Sequence, residues 1–417
     1  MTQVCAFRAL RYDPARVAID DCVAPPYDII SPDEAQRLRA KSPFNITHVD
    51  LPLASDGPDP YAAAAALFQS WRTAGVLRLD PEPSFYLITD TFELEGCSYR
   101  RTGVTAAVRL EPLGAGSIFP HESTLAGPRM DRFRLMATTS ANLSSILAMF
   151  PDPAGDLRAA IKPVLDRPPL LAGLGPTGPF ELRRIVEPAL IARVSALFAD
   201  RPLFIADGHH RYETALAYHR TAAGVFNDPA SFVMMHLVAV SDPALKALPT
   251  HRLIRPGVAP ALPELLQALA RDFTLSELSS PVLPPADAPF GSFLLRADRR
   301  NWLLTLKPSI KPADIDPERS RDWSTLDVAI LQKRVLEPIL GITPDKLTSQ
   351  DLVGYSHDLS ESVRSVDSGL FALAFLLRPT PVSAVAAVAA NLEKMPPKST
   401  YFYPKLITGL ILRPLNR

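Results

Sequence analysis

Several things that would point to particular protein classes are scarce or missing in this sequence. There are three cysteines, Cys5, Cys22 and Cys97, and they are isolated and match no metal-ligand spacing. They therefore suit a reducing compartment better than a disulfide framework. No excess of either charge exists, because 44 basic residues balance 44 acidic ones. This argues against a broad nucleic-acid-binding surface but leaves a local basic groove open.

Long apolar runs are also missing. No stretch approaches the 18 apolar residues of a membrane-spanning helix. The start of the sequence, MTQVCAFRAL, lacks the charged region and apolar run of a signal peptide. We therefore expect a soluble, cytoplasmic protein with no membrane partner, while a homo-oligomer is left open.

What the chain has in quantity is proline. It contains 43 prolines against 19 glycines, about twice the average proline usage. They are scattered through loops and predict rigid connections. Helical and mostly antiparallel strand patterns interleave irregularly, which predicts the α+β class. The 417 residues allow two domains, and a composition break at Pro256–Pro263 places them at residues 1–255 and 256–417.

The stretch LFIADGHHRYETALAYH, residues 203–219, carries the strongest functional signal. An apolar strand pattern stops at Asp207-Gly208, and a helical pattern starts after His209, His210 and Arg211. The first turn of such a helix has backbone N–H groups without intrahelical acceptors. With the helix dipole and Arg211 they predict an anion site, phosphate above all. The alternative is an ordinary turn capped by Asp207.

A metal is a second expectation at this turn. Asp207, His209 and Glu213 could ligate one, since His209 and Glu213 lie four residues apart on one helical face. Glu213 could equally pair with a neighbouring side chain. We favour Asp207 as a ligand of phosphate-bound Mg²⁺, which usually takes one or two carboxylates plus phosphate oxygens.

Three further motifs need weighing. Gly173–Gly178 spells G-x-G-x-x-G, but a strand-like run follows it and no strand clearly precedes it, so the dinucleotide-binding context is missing. Glu122, after His121, could be a general base or a cap. Lys398, in MPPKSTYFYPKL, belongs either to a site or to a rigid surface turn, and no Walker A glycines precede it.

Taken together, several segments resemble one family, catalogued as domain of unknown function ten-fifteen. The segments are FRALRY, VAPPYDIIS, FPHESTL, DRFRLM, ANLSSI, ADGHHRYETAL, LPTHRL and MPPKSTYFYPKL. The strand–DGHHR–helix element also looks like the second box of the ParB/sulfiredoxin superfamily. This resemblance implies a ParB/sulfiredoxin-like core with large insertions plus a C-terminal α+β domain.

Free-serine kinases of that superfamily carry a D-G-H-H-R box and an H-E box with a glutamate base. The resemblance implies Glu122 as base beside His121. It also implies that Asp207 and the backbone of Gly208 and His209, with His210 and Arg211, hold phosphate and Mg²⁺. Further candidate nucleotide contacts are Thr214, Arg132, Arg252 and Lys398.

The expected function is thus an ATP- or ADP-dependent small-molecule kinase with free L-serine as the leading acceptor. A ParB-like nucleotide switch that binds CTP or ATP without chemistry is the alternative. A nucleic-acid partner fits less well, because the chain lacks a basic excess and a helix-turn-helix. Sulfinic-acid repair does not fit either, because His209 stands where sulfiredoxin has its cysteine.

Overall fold

A computed structural model describes residues 2–123, 126–221, 228–349 and 351–416. The last two residues of the motif FPHESTL lie outside these ranges. The chain divides into two units by its internal contacts. The first comprises residues 1–120, 124–245 and 404–417, and the second comprises residues 121–123 and 246–403. Each unit is described by itself.

The strands are β1 (Val4–Cys5), β2 (Leu10–Tyr12), β3 (Leu77–Leu79), β4 (Phe85–Leu94), β5 (Cys97–Arg109), β6 (Ile118–Phe119), β7 (Ala141–Asn142), β8 (Ile146–Phe150), β9 (Leu171–Gly175), β10 (Gly178–Ile185), β11 (Leu203–Asp207), β12 (Phe232–Ala239), β13 (Lys246–Leu248), β14 (His251–Ile254), β15 (Phe273–Leu278), β16 (Ser292–Ala297), β17 (Arg300–Leu306), β18 (Val353–Ser356), β19 (Leu373–Leu376), β20 (Tyr401–Tyr403) and β21 (Arg413–Pro414).

The α-helices are α1 (Ile19–Cys22), α2 (Pro32–Lys41), α3 (Thr47–Asp50), α4 (Pro60–Thr73), α5 (Ala126–Thr139), α6 (Asp156–Leu165), α7 (Pro188–Phe198), α8 (His209–Thr221), α9 (Leu262–Leu269), α10 (Pro312–Ile315), α11 (Arg321–Ser324), α12 (Asp327–Leu331), α13 (Pro344–Ser349), α14 (Leu359–Asp367) and α15 (Val382–Ala390).

The first unit is built on a large mixed sheet. Within the described residues it has nine strands, in the order β6-β11-β8-β12-β5-β4-β10-β9 with β1 added beside β5. Most pairs are antiparallel, but β11 runs parallel to β6 and β12 runs parallel to β8. The strand order places β11 between β6 and β8. The turn into α8 follows the carboxyl end of β11. The architecture mixes helices with mostly antiparallel strands, in keeping with the predicted α+β class.

Both faces of this sheet are buried. Along β4, Tyr86 and Ile88 belong to one hydrophobic cluster, whereas Phe85 and Leu87 belong to another. Successive side chains of a strand point to opposite faces, so the two clusters cover the two sides of the sheet. Burial on both sides explains why β4, β8 and β11 begin as continuous apolar runs rather than as an alternation.

Local sequence signals explain several elements. The Ser31 side chain caps α2 by accepting from the backbone N–H of Glu34, and a proline takes the first helical position. Glu95 and Gly96 join β4 to β5 with φ of 51° and 75°, as a tight hairpin turn requires. Gly173–Gly178 forms the β9–β10 hairpin, so this G-x-G-x-x-G spelling has no dinucleotide-binding context.

The second unit has its own antiparallel sheet. Over the described residues it has six strands in the order β15-β17-β16-β19-β14-β18. A separate ladder pairs β13 with β20. In this unit, helix α12 continues as a π-helix over Gln332–Leu336.

The division of the chain differs from the boundary expected at residues 255 and 256. Lys246–Leu248 joins the second unit because it pairs with Tyr401–Tyr403. Residues 404–417 return to the first unit, where Arg413 and Pro414 pair with β7. No helix within the described ranges is long and apolar enough to cross a membrane.

Candidate functional site

The strand β11 ends at Asp207, as the sequence predicted. The helix α8 begins at His209, three residues before the predicted start after Arg211. Gly208 between them has φ of 92°, a left-handed conformation that glycine adopts without a Cβ clash. A Cβ at this position would also lie 3.0–3.2 Å from the guanidinium of Arg211. The sharp turn therefore depends on glycine.

Arg211 is buried and held by the protein on two sides. Its Nη2 lies 2.5 Å from Oδ2 of Asp207, and its Nη1 donates to the backbone carbonyl of Ser145 at the start of β8. Burial alone would lower the pKa of Arg211, but Asp207 and other nearby acids outweigh it and raise the pKa. Arg211 thus contributes a fixed positive charge at the start of α8.

Lys405 supplies a second cation at the same carboxylate. Its Nζ forms an ion pair with Oδ1 of Asp207, and the two side chains are only 10% and 14% exposed. Burial would raise the pKa of Asp207, but Lys405 and Arg211 outweigh it and hold the pKa well below its ordinary value. Among Asp207, Lys405 and Arg211 one positive charge is in excess, although Asp28 and Asp50 also lie close enough to act on Arg211. This arrangement can attract an anion.

The remaining predicted residues of this box lie on the first turns of α8. His209 is buried, and His210 is partly buried. Thr214 is fully buried, and its hydroxyl lies 3.3 Å from the backbone carbonyl of Arg129 in α5. The contact of Thr214 therefore joins α8 to α5. His209 and His210 are the first two residues of α8, directly after the turn.

A small cavity of about 30 Å³ lies beside the turn, and Arg132, Asp50, Thr214 and Arg211 are among the residues that line it. Arg132 donates to the backbone carbonyl of Asp50 at 2.7 Å, and its guanidinium lies 3.8 Å from the ring centroid of Tyr27. Burial raises the pKa of Asp50, although Arg132 and Arg211 oppose the shift. A cavity of this volume holds about one water molecule.

A larger groove runs along α8. It has a volume of about 650 Å³, and Phe133, Leu216 and Arg220 are among its lining residues. Glu213 also lines the groove. Its carboxylate forms an ion pair with Arg129 at 3.0 Å, so it pairs with a neighbouring side chain, which was the alternative to a metal-ligand role. Residues 209, 213, 216 and 220 share one helical face. His209 therefore lies on the side of α8 that carries the groove.

The H-E motif belongs to the second unit. His121 is fully buried, its Nε2 lies 2.9 Å from the hydroxyl of Thr400, and its carbonyl accepts from the backbone N–H of Met395. Within the described part of the chain, Oε1 of Glu122 is buried and has no hydrogen-bond partner. The segment after residue 394 therefore fixes His121, while Glu122 keeps one oxygen unused.

Arg252 and Lys398 also belong to the second unit. Arg252 is 2% exposed and donates to the carbonyls of Thr250 at 2.7 Å and Pro397 at 3.2 Å. Burial lowers its pKa, with Tyr355 and Glu122 opposing. Lys398 is exposed on a turn with φ of 57°, which favours the interpretation as a surface turn.

Asp207 does not fit the Mg²⁺ role expected of it. Mg²⁺ needs free carboxylate oxygens and room for its waters, whereas both oxygens of Asp207 face cations. Across the described ranges, no cluster of three or more His, Cys, Asp or Glu side chains could hold a metal ion. The pairing depends on Lys405, which lies 198 residues away in sequence and which sequence reasoning missed.

The structure thus sorts the predicted residues into two groups. The first unit brings together Asp207, Gly208, His209, His210, Arg211, Thr214 and Arg132. The second unit brings together His121, Glu122, Arg252 and Lys398. Tyr27 was noted only as part of the rigid VAPPYDIIS loop, and nothing in the sequence singled out Asp50. The sequence signal that could have pointed to Lys405 is its position in the C-terminal motif MPPKSTYFYPKL.

The fold and the turn therefore define a mixed α/β protein in which positively charged side chains lie at a strand-to-helix turn. The chain belongs to DUF1015, a family described as "protein of unknown function", which it matches over residues 4–329. No curated protein matches the chain.

Among solved structures, the chain is distantly similar to a free serine kinase in complex with AMP. The identity is 11%, the TM-score is 0.35, and the match covers 70% of this chain and 92% of that chain. SbnI with a C-terminal truncation, from Staphylococcus aureus, gives 10% identity, a TM-score of 0.36, and coverage of 75% and 87%. A conserved hypothetical protein from Pyrococcus furiosus gives 11%, 0.34, and coverage of 70% and 89%. Likenesses at this level assign no residue roles.

Proposed function

We propose that this protein is a nucleotide-dependent small-molecule kinase that binds the phosphates of ATP or ADP at the turn of Asp207–Arg211. Free L-serine is the proposed acceptor, because the D-G-H-H-R and H-E boxes resemble those of free-serine kinases. The proposal includes a ParB/sulfiredoxin-like core in the first unit.

The observation that carries the proposal is the pair of cations held by Asp207 at the start of α8. A helix N-terminus directs backbone N–H groups at an anion, and Arg211 and Lys405 add positive charge there. Phosphoryl transfer depends mainly on positioning and on charge neutralisation. The groove of about 650 Å³ along α8 offers space for the nucleoside.

Glu122 is the proposed proton acceptor for the substrate hydroxyl. Its buried Oε1 accepts no hydrogen bond from the described residues, so this oxygen is available to a hydroxyl group. Arg252 of the same unit interacts electrostatically with Glu122. Arg132 and Lys398 are proposed as further contacts to substrate or nucleotide.

The test is incubation of the full chain with ATP or ADP, Mg²⁺ and L-serine, with O-phosphoserine measured by mass spectrometry. Stoichiometric loss of nucleotide and gain of O-phosphoserine is the expected result. Absence of any phosphorylated product from a folded chain, with either nucleotide, would contradict the serine kinase proposal.

Glu122→Gln should lower turnover about 100- to 10,000-fold, the usual contribution of a general base, while nucleotide binding is retained. Glu318→Gln, on an exposed loop of the same unit, is the matched control and should keep wild-type turnover. If Glu122→Gln is as active as Glu318→Gln, Glu122 is not the base. Tight nucleotide binding that changes the oligomeric state without any transfer would instead indicate the nucleotide switch.

A further inference from the structure

Lys405 and Asp207 form a contact that a metal-binding role for Asp207 does not explain. Both Oδ atoms of Asp207 are occupied by cations, Arg211 on one side and Lys405 on the other. Arg211 is held a second time by the carbonyl of Ser145. The carboxylate therefore lies inside a rigid, cationic arrangement.

A divalent ion placed at Asp207 would lie within a few ångströms of two positive charges. Like charges at such distances repel strongly where water is largely excluded, and these three side chains are only 8–14% exposed. In the described part of the chain, Asp207 belongs to no cluster of three or more His, Cys, Asp or Glu side chains that could hold a metal ion and offset that repulsion. The charge that a metal would bring is already supplied by Lys405.

We propose that Lys405 takes the place of a protein-bound metal at this site. In this arrangement Asp207 positions Lys405 and Arg211 as anion-binding groups, and nucleotide binding needs no metal ligand from the protein. This inference rests on the proposed function, because it concerns the same turn. Any metal carried by the nucleotide would take its ligands from phosphate oxygens and water, not from Asp207.

The first experiment measures ADP binding to the full chain by calorimetry, once with Mg²⁺ and once with EDTA. The expected dissociation constants agree within about threefold, which is a small free-energy difference. Lys405→Met should weaken ADP binding about 10- to 100-fold in both media, the effect of losing one charged hydrogen-bond donor. Lys405→Arg, which keeps the charge, should recover most of that loss.

The control for Lys405→Met is Lys162→Met. Lys162 forms an exposed pair with Asp166 on α6, so its loss should leave ADP binding unchanged. Thermal melting of each variant checks that it is folded. ADP binding that depends on Mg²⁺ in the wild type and loses that dependence in Asp207→Asn would overturn the inference, as would a folded Lys405→Met variant that binds ADP like Lys162→Met.

A second measurement does not require nucleotide binding. Mn²⁺ is titrated into the wild-type chain and followed by electron paramagnetic resonance. No Mn²⁺ bound at Asp207 is the expected result, whereas a Mn²⁺ site that Asp207→Asn removes would overturn the inference. If the wild type binds ADP in neither medium, the proposed function fails, and the Mn²⁺ titration still decides the role of Asp207.

Discussion

Asp207 of the first unit and Glu122 of the second, the two candidate carboxylates, have opposite surroundings. In the first unit, Asp207 is paired on both oxygens, with Lys405 and with Arg211. In the second unit, Glu122 has a buried oxygen with no partner among the described residues. A doubly paired carboxylate is fixed and contributes to stability, whereas a buried carboxylate oxygen without a donor costs desolvation energy. The carboxylate of Asp207 therefore fixes the positions of Lys405 and Arg211, whereas one oxygen of Glu122 makes no such contact with the described residues.

Arg211 of the first unit and Arg252 of the second also have different hydrogen-bond partners. Arg211 faces a carboxylate, which raises its pKa despite burial. Arg252 has two backbone carbonyls as hydrogen-bond acceptors, and burial lowers its pKa. The ion pair of Arg211 predicts a rigid side chain. The positive charge of Arg252 is offset only by backbone carbonyls, which predicts that a bound anion would stabilise it.

The largest expected effect comes from removing the paired carboxylate. Asp207→Asn leaves Lys405 and Arg211 buried without their counter-charge, which should lower the free energy of unfolding by about 3–5 kcal/mol. Urea unfolding and hydrogen exchange of β11 and α8 measure this loss. Glu122→Gln should cost no stability, because its buried Oε1 has no hydrogen bond to lose. Equal losses in the two variants would remove the distinction between the carboxylates.

A smaller difference is expected between the arginines. Arg211→Met should cost about 3 kcal/mol or more, because one side of a buried pair is removed. Arg252→Met removes a charged group from two carbonyls and should cost about 1–3 kcal/mol. Hydrogen exchange read separately in β8 and in β14 measures each loss within its own unit. A larger loss for Arg252→Met would reverse the expected order.

The pH dependence of stability separates ion pairs from buried histidines. Burial lowers the pKa of His236 to about 3 and that of His251 to about 4. The unfolded chain has histidine pKa values near 6.5, so it takes up protons first as the pH falls. Stability should therefore fall below about pH 6.5, by about 1.4 kcal/mol per pH unit for each histidine.

Asp207 has the opposite signature. Its pKa is depressed in the folded state, so its stabilisation is fully present above the unfolded pKa and is lost only below about pH 4. His236→Asn and His251→Asn should each make the free energy of unfolding depend less on pH between pH 6.5 and 4.5. Urea unfolding at several pH values measures this dependence. An unchanged slope in both variants would refute this origin of acid sensitivity.

The smallest effect is expected at the surface. Lys162 and Asp166 form a pair that is more than 60% exposed on both sides, and such pairs contribute little. Asp166→Asn should leave the urea midpoint nearly unchanged, unlike Asp207→Asn. A comparable loss at both positions would mean that burial does not distinguish the two ion pairs.

The sequence predicted local features well and tertiary pairings poorly. The β11–Gly208–α8 turn follows from an apolar run, a D-G pair and a helical pattern, all of which are local. The ion pair of Asp207 with Lys405 joins residues that lie 198 positions apart, and no local pattern encodes that distance. For the same reason, β13 could not be predicted before its partner strand β20 was known.

A structure of the full chain with ADP bound would test the central claim most directly. We expect phosphate oxygens at the start of α8, within hydrogen-bond distance of the backbone N–H groups after Asp207 and of Lys405 or Arg211. Nucleotide bound elsewhere, with the contacts of Asp207 to Lys405 and Arg211 unchanged and no phosphate beside them, would contradict it.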